Sequence, residues 1–232
     1  MPQKIPTGCM VLDKFLEGGI PFGSVSLIYG EAETGKTTLA TQVAINCALR
    51  GYKTLFVDCD GTFSAVRLSQ IASKKFEEIS EQIILMKPAD FREQTAIVDH
   101  LGDYVTRNFG LVVFDTITSL YRVKIAEVPA KTFELNRELN RQVALLAQLA
   151  KTRKIAVLVT SQVRSVLNEK PLSMEPVATR VLKFWADAII FMKPTENPKI
   201  IKAILEKTPK QTGKAEPPTL NLKIEEAGIS EC

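Results

Sequence analysis

The chain has 232 residues, 45% of them hydrophobic and 24% charged, with a formal net charge of +4. That balance suits a soluble globular protein of one sizeable domain, residues 1–232. No apolar run reaches the ~18 residues of a membrane span, and the opening Met1-Pro2-Gln3-Lys4-Ile5-Pro6 lacks the apolar core of a signal peptide. The lone His100 argues against a histidine-based zinc site or catalytic triad. Cys9, Cys47, Cys59 and Cys232 show no CxxC or finger spacing, so reduced structural thiols in a cytoplasmic protein are expected. The charge is too mild to argue for nucleic acid by itself.

Residues 4–24 hold Thr7-Gly8, then Leu12-Asp13-Lys14-Phe15-Leu16 and the pair Gly18-Gly19, which predicts a short helix leading to a first strand. That strand is Val25-Ser26-Leu27-Ile28-Tyr29. It runs into Gly30-Glu31-Ala32-Glu33-Thr34-Gly35-Lys36-Thr37-Thr38, which matches the P-loop pattern G-x-x-x-x-G-K-[ST]. Leu39, Val43 and Cys47, with Ala40, Ala44 and Ala48 beside them, continue at helical spacing to a C-capping Gly51. Glycines let backbone N–H groups close around a phosphate, and the helix start adds its dipole. Lys36 is placed to reach the β- and γ-phosphates of ATP, and Thr37 to offer a hydroxyl to Mg²⁺. Glu31 and Glu33 are expected to point outward, since a carboxylate facing the triphosphate would repel it. An ordinary glycine turn before a helix would not require strand, loop and helix in this order.

Thr54–Asp58 predicts a second strand whose end, Asp58-Cys59-Asp60-Gly61-Thr62-Phe63, puts two carboxylates at the sheet edge where ligands bind in open α/β folds. Ile83–Met86 is a short third strand. Asp90 with Glu93 forms a capping box, and Ile97, Leu101, Tyr104 and Val105 mark the buried face of the helix behind it. Leu111–Phe114 then delivers Asp115, the carboxylate expected beside Mg²⁺. Periodicity disappears over 121–131 and returns as a long amphipathic helix on Leu135, Leu139, Val143, Leu146 and Ala150, with Arg137, Arg141 and Gln148 elsewhere on its surface. Lys154–Gln162 is a further buried strand. Residues 165–178 predict a mobile surface loop. Ala188–Met192, Ile200–Leu205 and Leu220–Ile224 predict a closing meander, with a turn at 207–218. The alternation of strands and helices up to 162 requires a mainly parallel sheet.

These motifs, in this order and over nearly the whole chain, resemble the RecA/RadA recombinase ATPase core, and in particular its short archaeal members. The resemblance rests on Pro6-Thr7-Gly8, Leu12-Asp13, Gly18-Gly19-Ile20, the P-loop, Asp58-Cys59-Asp60-Gly61-Thr62-Phe63 with Arg67-Leu68, Asp115, Tyr121-Arg122, Thr160-Ser161-Gln162-Val163 and Val181-Leu182-Lys183-Phe184-Trp185-Ala186. It implies a RecA-like α/β fold: a mainly parallel twisted sheet flanked by helices, with an antiparallel C-terminal meander. It also implies a role for each matching position. Asp60 would polarise the attacking water, Asp115 would hold the Mg²⁺ shell, Arg67 would pack on the adenine and Gln162 would sense the γ-phosphate. The stretches 121–131 and 165–178 would be DNA-facing loops, with Arg122, Lys124 and Arg164 as phosphate contacts.

The departures from the family pattern shape the expected activity. The sequence opens at the ATPase core, without the helical DNA-binding domain or the linker motif that joins protomers. Asp60 is a methylene shorter than the family's glutamate, and the two loops contain no glycine. Together these imply slow ATP hydrolysis, ATP acting mainly as a conformational ligand, and no efficient strand exchange. The expected function is that of a recombination accessory protein binding single-stranded DNA, with a recombinase or other repair proteins as partners and homo-oligomers possible. The alternative is a nucleotide-controlled protein-interaction module that touches no DNA. A small-molecule kinase fits less well, because 165–178 lacks the arginines of a kinase lid.

Overall fold

The computed structural model describes residues 3–166, 173–208 and 216–232, the side chains of 164–166, 173, 175 and 176 excepted. The lead-in is more ordered than its composition suggests. β1 (Lys4–Ile5) and β2 (Ile20–Pro21) pair antiparallel around α1 (Met10–Phe15), which ends just before Gly18 and Gly19, both at positive φ. Thr7 seats this segment: its backbone N–H and hydroxyl both donate to the Asp13 carboxylate, at 2.7 and 2.8 Å.

β3 (Val25–Gly30) is buried at every position and stands near the middle of the sheet. α2 (Lys36–Ala48) follows the P-loop, and Gly51, at φ 81°, closes it by donating to the Ala48 carbonyl. β4 (Lys53–Asp58), α3 (Ala65–Ala72), α4 (Phe76–Ser80) and β5 (Ile83–Met86) come next. The Asp90 carboxylate caps α5 (Phe91–Asp99) through the Glu93 N–H, and Glu93 returns a bond to the Ala89 N–H, one residue before the reciprocal partner expected. The helix breaks at His100 before α6 (Leu101–Tyr104), so Val98 takes the core place expected of Tyr104, which is 43% exposed.

β6 (Phe109–Asp115) leads to α7 (Ser119–Glu127) and α8 (Thr132–Arg153), then β7 (Ala156–Val166), β8 (Ser173–Pro176) and α9 (Thr179–Trp185). Two loop expectations change here. Much of 121–131 is helix: α7 buries only Tyr121, so it leaves no apolar stripe for a periodicity search to find. Within 165–178, β7 continues to Val166 and pairs antiparallel with β8, so the described part is a hairpin. Residues 167–172 lie outside the described residues, as do 209–215 of the expected turn.

The meander closes with β9 (Ala188–Pro194), β10 (Ile200–Lys207), β11 (Thr219–Glu225) and an unanticipated β12 (Gly228–Glu231). Strand order is β12-β11-β10-β9-β3-β7-β6-β4-β5. Pairing is parallel from β9 to β5 and antiparallel from β9 to β12. This is the RecA-like α/β architecture expected. Alternate side chains of the central strands feed two cores: Leu27, Val57, Phe114 and Val159 pack toward α5 and α8, while Ile28, Phe56, Val113 and Leu158 pack toward α1 and α2. No helix among the described residues is long and apolar enough to cross a membrane.

The final hairpin is fastened to the P-loop helix. Buried Gln42 donates to the Ile229 carbonyl at 3.0 Å and accepts from its N–H at 2.8 Å. Ile224 and Ile229 lie so close under Gly35 that an added Cβ would meet both at 3.1 Å. Replacing Gln42 by Ala strands two buried backbone groups and is expected to cost about 2–4 kcal/mol. Urea unfolding checks this, and an unchanged midpoint would show that the hairpin is not held there.

Candidate nucleotide site

Parallel register brings the motif residues to one edge of the sheet. Gly30 at the end of β3 lies opposite Gln162 of β7, and Asp58 of β4 opposite Asp115 of β6. A cavity of about 380 Å³ opens there, lined on the P-loop side by Gly30, Ala32, Glu33, Lys36 and Thr37. Asp60, Thr62, Thr116, Gln162 and Val163 form its other walls. Glu31, Thr34, Gly35 and Thr38, which belong to the same motif, do not line it. Glu33 borders the cavity and stands exposed at φ 61° where the loop bends, with Gly35 at φ 80° starting α2. Glu31 is half-buried and serves through its carbonyl, which accepts from the Thr34 hydroxyl at 2.9 Å and from Lys36 Nζ at 2.5 Å.

Lys36 is almost wholly enclosed. Burial pushes its pKa down, while Asp115, Asp60 and Glu31 pull it back up. Asp115 is fully buried, and burial pushes its pKa up against the Thr160 and Thr37 hydroxyls that lower it; Asp60 and Asp58 add to the rise. The Thr160 hydroxyl donates to Asp115 Oδ1, whereas Oδ2 is buried without a hydrogen bond of normal geometry. Thr37 is thus near enough to bias the carboxylate but not placed to satisfy Oδ2. A buried carboxylate oxygen left unmatched beside a threonine hydroxyl is a setting that a hard divalent cation with oxygen ligands fits. A cluster of three or more metal-ligating side chains is absent among the described residues.

The two carboxylates ending β4 have different fates. Asp58, 1% exposed, accepts from the N–H groups of Thr62 and Phe63 at 3.0 and 3.1 Å and faces Lys87 at 3.6 Å. It stands at the expected edge of the sheet and shapes the turn that follows. Asp60 is exposed on the cavity, and its Oδ2 accepts from the Thr116 hydroxyl at 2.6 Å. Between them, Cys59 is deeply buried, and burial together with the surrounding carboxylates raises its thiol pKa well above the usual value, so it stays an inert thiol.

Gln162 reaches the cavity with Lys36 and Asp60, and its Oε1 accepts from the Arg122 guanidinium on α7. Arg67 is not brought there. Its guanidinium is spent on the turn between β11 and β12, donating to the Glu225 and Glu226 carbonyls at 2.5 and 2.7 Å. Lys124 is paired with Glu127 at 2.8 Å on the surface. The Arg164 side chain lies outside the described residues. Thr116 drew no role from the sequence and Thr160 entered only as part of the Thr160–Val163 motif, although a hydroxyl directly after the apolar run of β6 was an available signal.

Fold and site together define a RecA-like P-loop core, and the chain belongs to the Rad51 family, whose model matches residues 3–218. Within that family its relatives include the DNA repair and recombination protein RadB of Methanococcoides burtonii, 34% identical over 83% of this chain and 84% of the relative. RadB of Methanocaldococcus jannaschii is 34% identical over 85% and 90%, and RadB of Methanosphaera stadtmanae 31% identical over 95% and 92%. A crystal structure of the RadB recombinase superposes with a TM-score of 0.82 at 32% identity, covering 98% of this chain and 99% of the other.

Asp115 yields a pH prediction. Its folded pKa is raised, so nucleotide-free protein loses stability as pH rises from the ordinary carboxylate range through that value. Asp115→Asn, which can still accept from Thr160, is expected to melt above the native protein at neutral pH, with the gap closing on acidification. A variant melting below the native protein at neutral pH would contradict the unmatched buried charge.

Proposed function

We propose that this chain is a DNA-binding P-loop ATPase of recombination and repair, in which ATP–Mg²⁺ serves mainly as a conformational ligand and is hydrolysed slowly. Gln162 carries the proposal: it borders the cavity beside Lys36, Thr37 and Asp60 while holding Arg122 of α7. ATP supplies the phosphoanhydride bond and the charge that these residues are suited to hold. Lys36 would exchange the Glu31 carbonyl for β- and γ-phosphate oxygens. Thr37 and Asp115 would hold Mg²⁺. Asp60, steadied by Thr116, would orient the attacking water with a reach shorter than glutamate allows.

Gln162, turning its amide toward the terminal phosphate, would release Arg122 to a DNA phosphate. Ligand binding then shifts a population by its differential contacts with two states. Arg122 and Arg164 are the proposed phosphate contacts. Lys124 joins them readily, since an exposed ion pair of its kind holds by about 1 kcal/mol or less. Single strands are favoured as ligand, and a recombinase or other recombination proteins as partners, with self-association possible. The family membership and the RadB relatives support this assignment of class.

Lys36→Ala should weaken ATP binding roughly tenfold to a hundredfold by removing a charged donor; unchanged affinity would overturn the site. Asp60→Glu should raise turnover, and an unchanged rate would remove Asp60 from water positioning. Binding of labelled single-stranded oligonucleotides across a salt series, with and without ATP–Mg²⁺, tests the whole. Salt-sensitive binding that ATP strengthens is expected. Its absence at low salt would favour a nucleotide-controlled protein-interaction module instead.

A further inference from the structure

A second cavity, of about 340 Å³, adjoins the nucleotide site on the side of α7. Asp60 and Gln162 line both spaces, so these two side chains stand between them. Ser119, Arg122, Val123 and Ala126 of α7 supply the far wall. At ~30 Å³ per water there is room for a small tetrahedral anion and several waters. The cavity opens to solvent, since Val123 in its wall is 57% exposed. Its polar lining is largely unspent. Arg122 makes its hydrogen bond to the Gln162 amide oxygen, and no carboxylate among the described residues pairs with it. The Ser119 hydroxyl is buried without a hydrogen-bond partner, a cost that an accepting ligand would relieve. Against these donors stands one acceptor, the Asp60 carboxylate, whose Oδ2 already holds the Thr116 hydroxyl. Such a wall matches an anion with several bare oxygens and one hydroxyl of its own.

We propose that this cavity holds the orthophosphate formed when ATP is hydrolysed, on its way from the P-loop to solvent. The inference rests on the ATPase reading proposed above and adds to it a site for the second product. At neutral pH orthophosphate still carries a P–OH, which donates to the Asp60 carboxylate. Its bare oxygens accept from the Arg122 guanidinium, the Ser119 hydroxyl and, once Gln162 turns, the amide N–H₂ of that residue. Sulfate has the same shape but no proton at this pH. It would set a bare oxygen against Asp60, so the wall discriminates against it. Arg122 is also the proposed DNA contact, which makes a strand and orthophosphate alternative partners of one guanidinium.

The experiment titrates potassium phosphate, and separately potassium sulfate, into protein saturated with ADP–Mg²⁺ at neutral pH and matched ionic strength, followed by calorimetry. Native protein should bind phosphate at least about tenfold more tightly than sulfate. Arg122→Gln should weaken phosphate binding about tenfold, and Ser119→Ala roughly threefold, through the hydrogen bonds each removes. Asp60→Asn, whose amide can donate to a bare oxygen, should bring sulfate level with phosphate. No phosphate binding to the native ADP–Mg²⁺ complex, or equal binding of both anions, overturns the proposal. Phosphate binding undiminished in both α7 variants overturns this location and leaves the anion at the P-loop. Failure of ADP–Mg²⁺ itself to bind overturns the nucleotide-site reading instead.

Discussion

The structure depends on the register of β3 between β7 and β9. Gly30 sits level with Gln162 on one side and Met192 on the other. A Cβ at Gly30 would stand 2.1 Å from the Met192 carbonyl oxygen, so the backbones meet there only because the residue has no side chain. Parallel pairing aligns strand ends by construction, and β6 then delivers Asp115 level with Asp58 at the same edge. A slip of one residue in β3 would turn its side chains to the other core and carry the P-loop out of reach of Gln162.

Around that edge, hydroxyl groups do much of the fastening. Thr116 holds Asp60, Thr160 holds Asp115, and Thr118 and Ser161 share a hydrogen bond at 3.2 Å between the β6–α7 turn and β7. Buried Gln94 extends the ties outward, donating to the Ile117 carbonyl at 3.1 Å and to Gln142 of α8 at 2.8 Å. The carboxylates are therefore held by neighbours of fixed geometry, yet Asp115 Oδ2 stays unmatched in a buried place. The fold keeps an electrostatic cost at that atom, which a cation would relieve.

What was legible in the sequence follows from how far apart the partners lie along the chain. The P-loop, its strand and its helix were readable because the motif is local and Leu39, Val43 and Cys47 repeat at helical spacing. The buried strand ending in Asp115 and the parallel sheet were readable for the same reason. α7 was not, since a helix burying only Tyr121 has no stripe. β12 was not, being a short strand after a turn with nothing apolar but Ile229 to mark it. Arg67 is the clearest case of distance defeating inference: its partners lie 158 and 159 residues away, and nothing near position 67 announces them. Asp58 and Asp60 look alike in sequence, and only the turn separates a capping carboxylate from an exposed one.

On the proposed mechanism, nucleotide occupancy reaches α7 through the contact of Gln162 with Arg122. Hydrogen–deuterium exchange of the α7 amides, with and without a non-hydrolysable ATP analogue and Mg²⁺, measures that transmission without requiring DNA. The mechanism predicts that the analogue alters exchange across residues 119–127 in the native protein but not in Gln162→Ala, although both bind the analogue. Unaltered α7 exchange in the native protein, or the same alteration in Gln162→Ala, would contradict it.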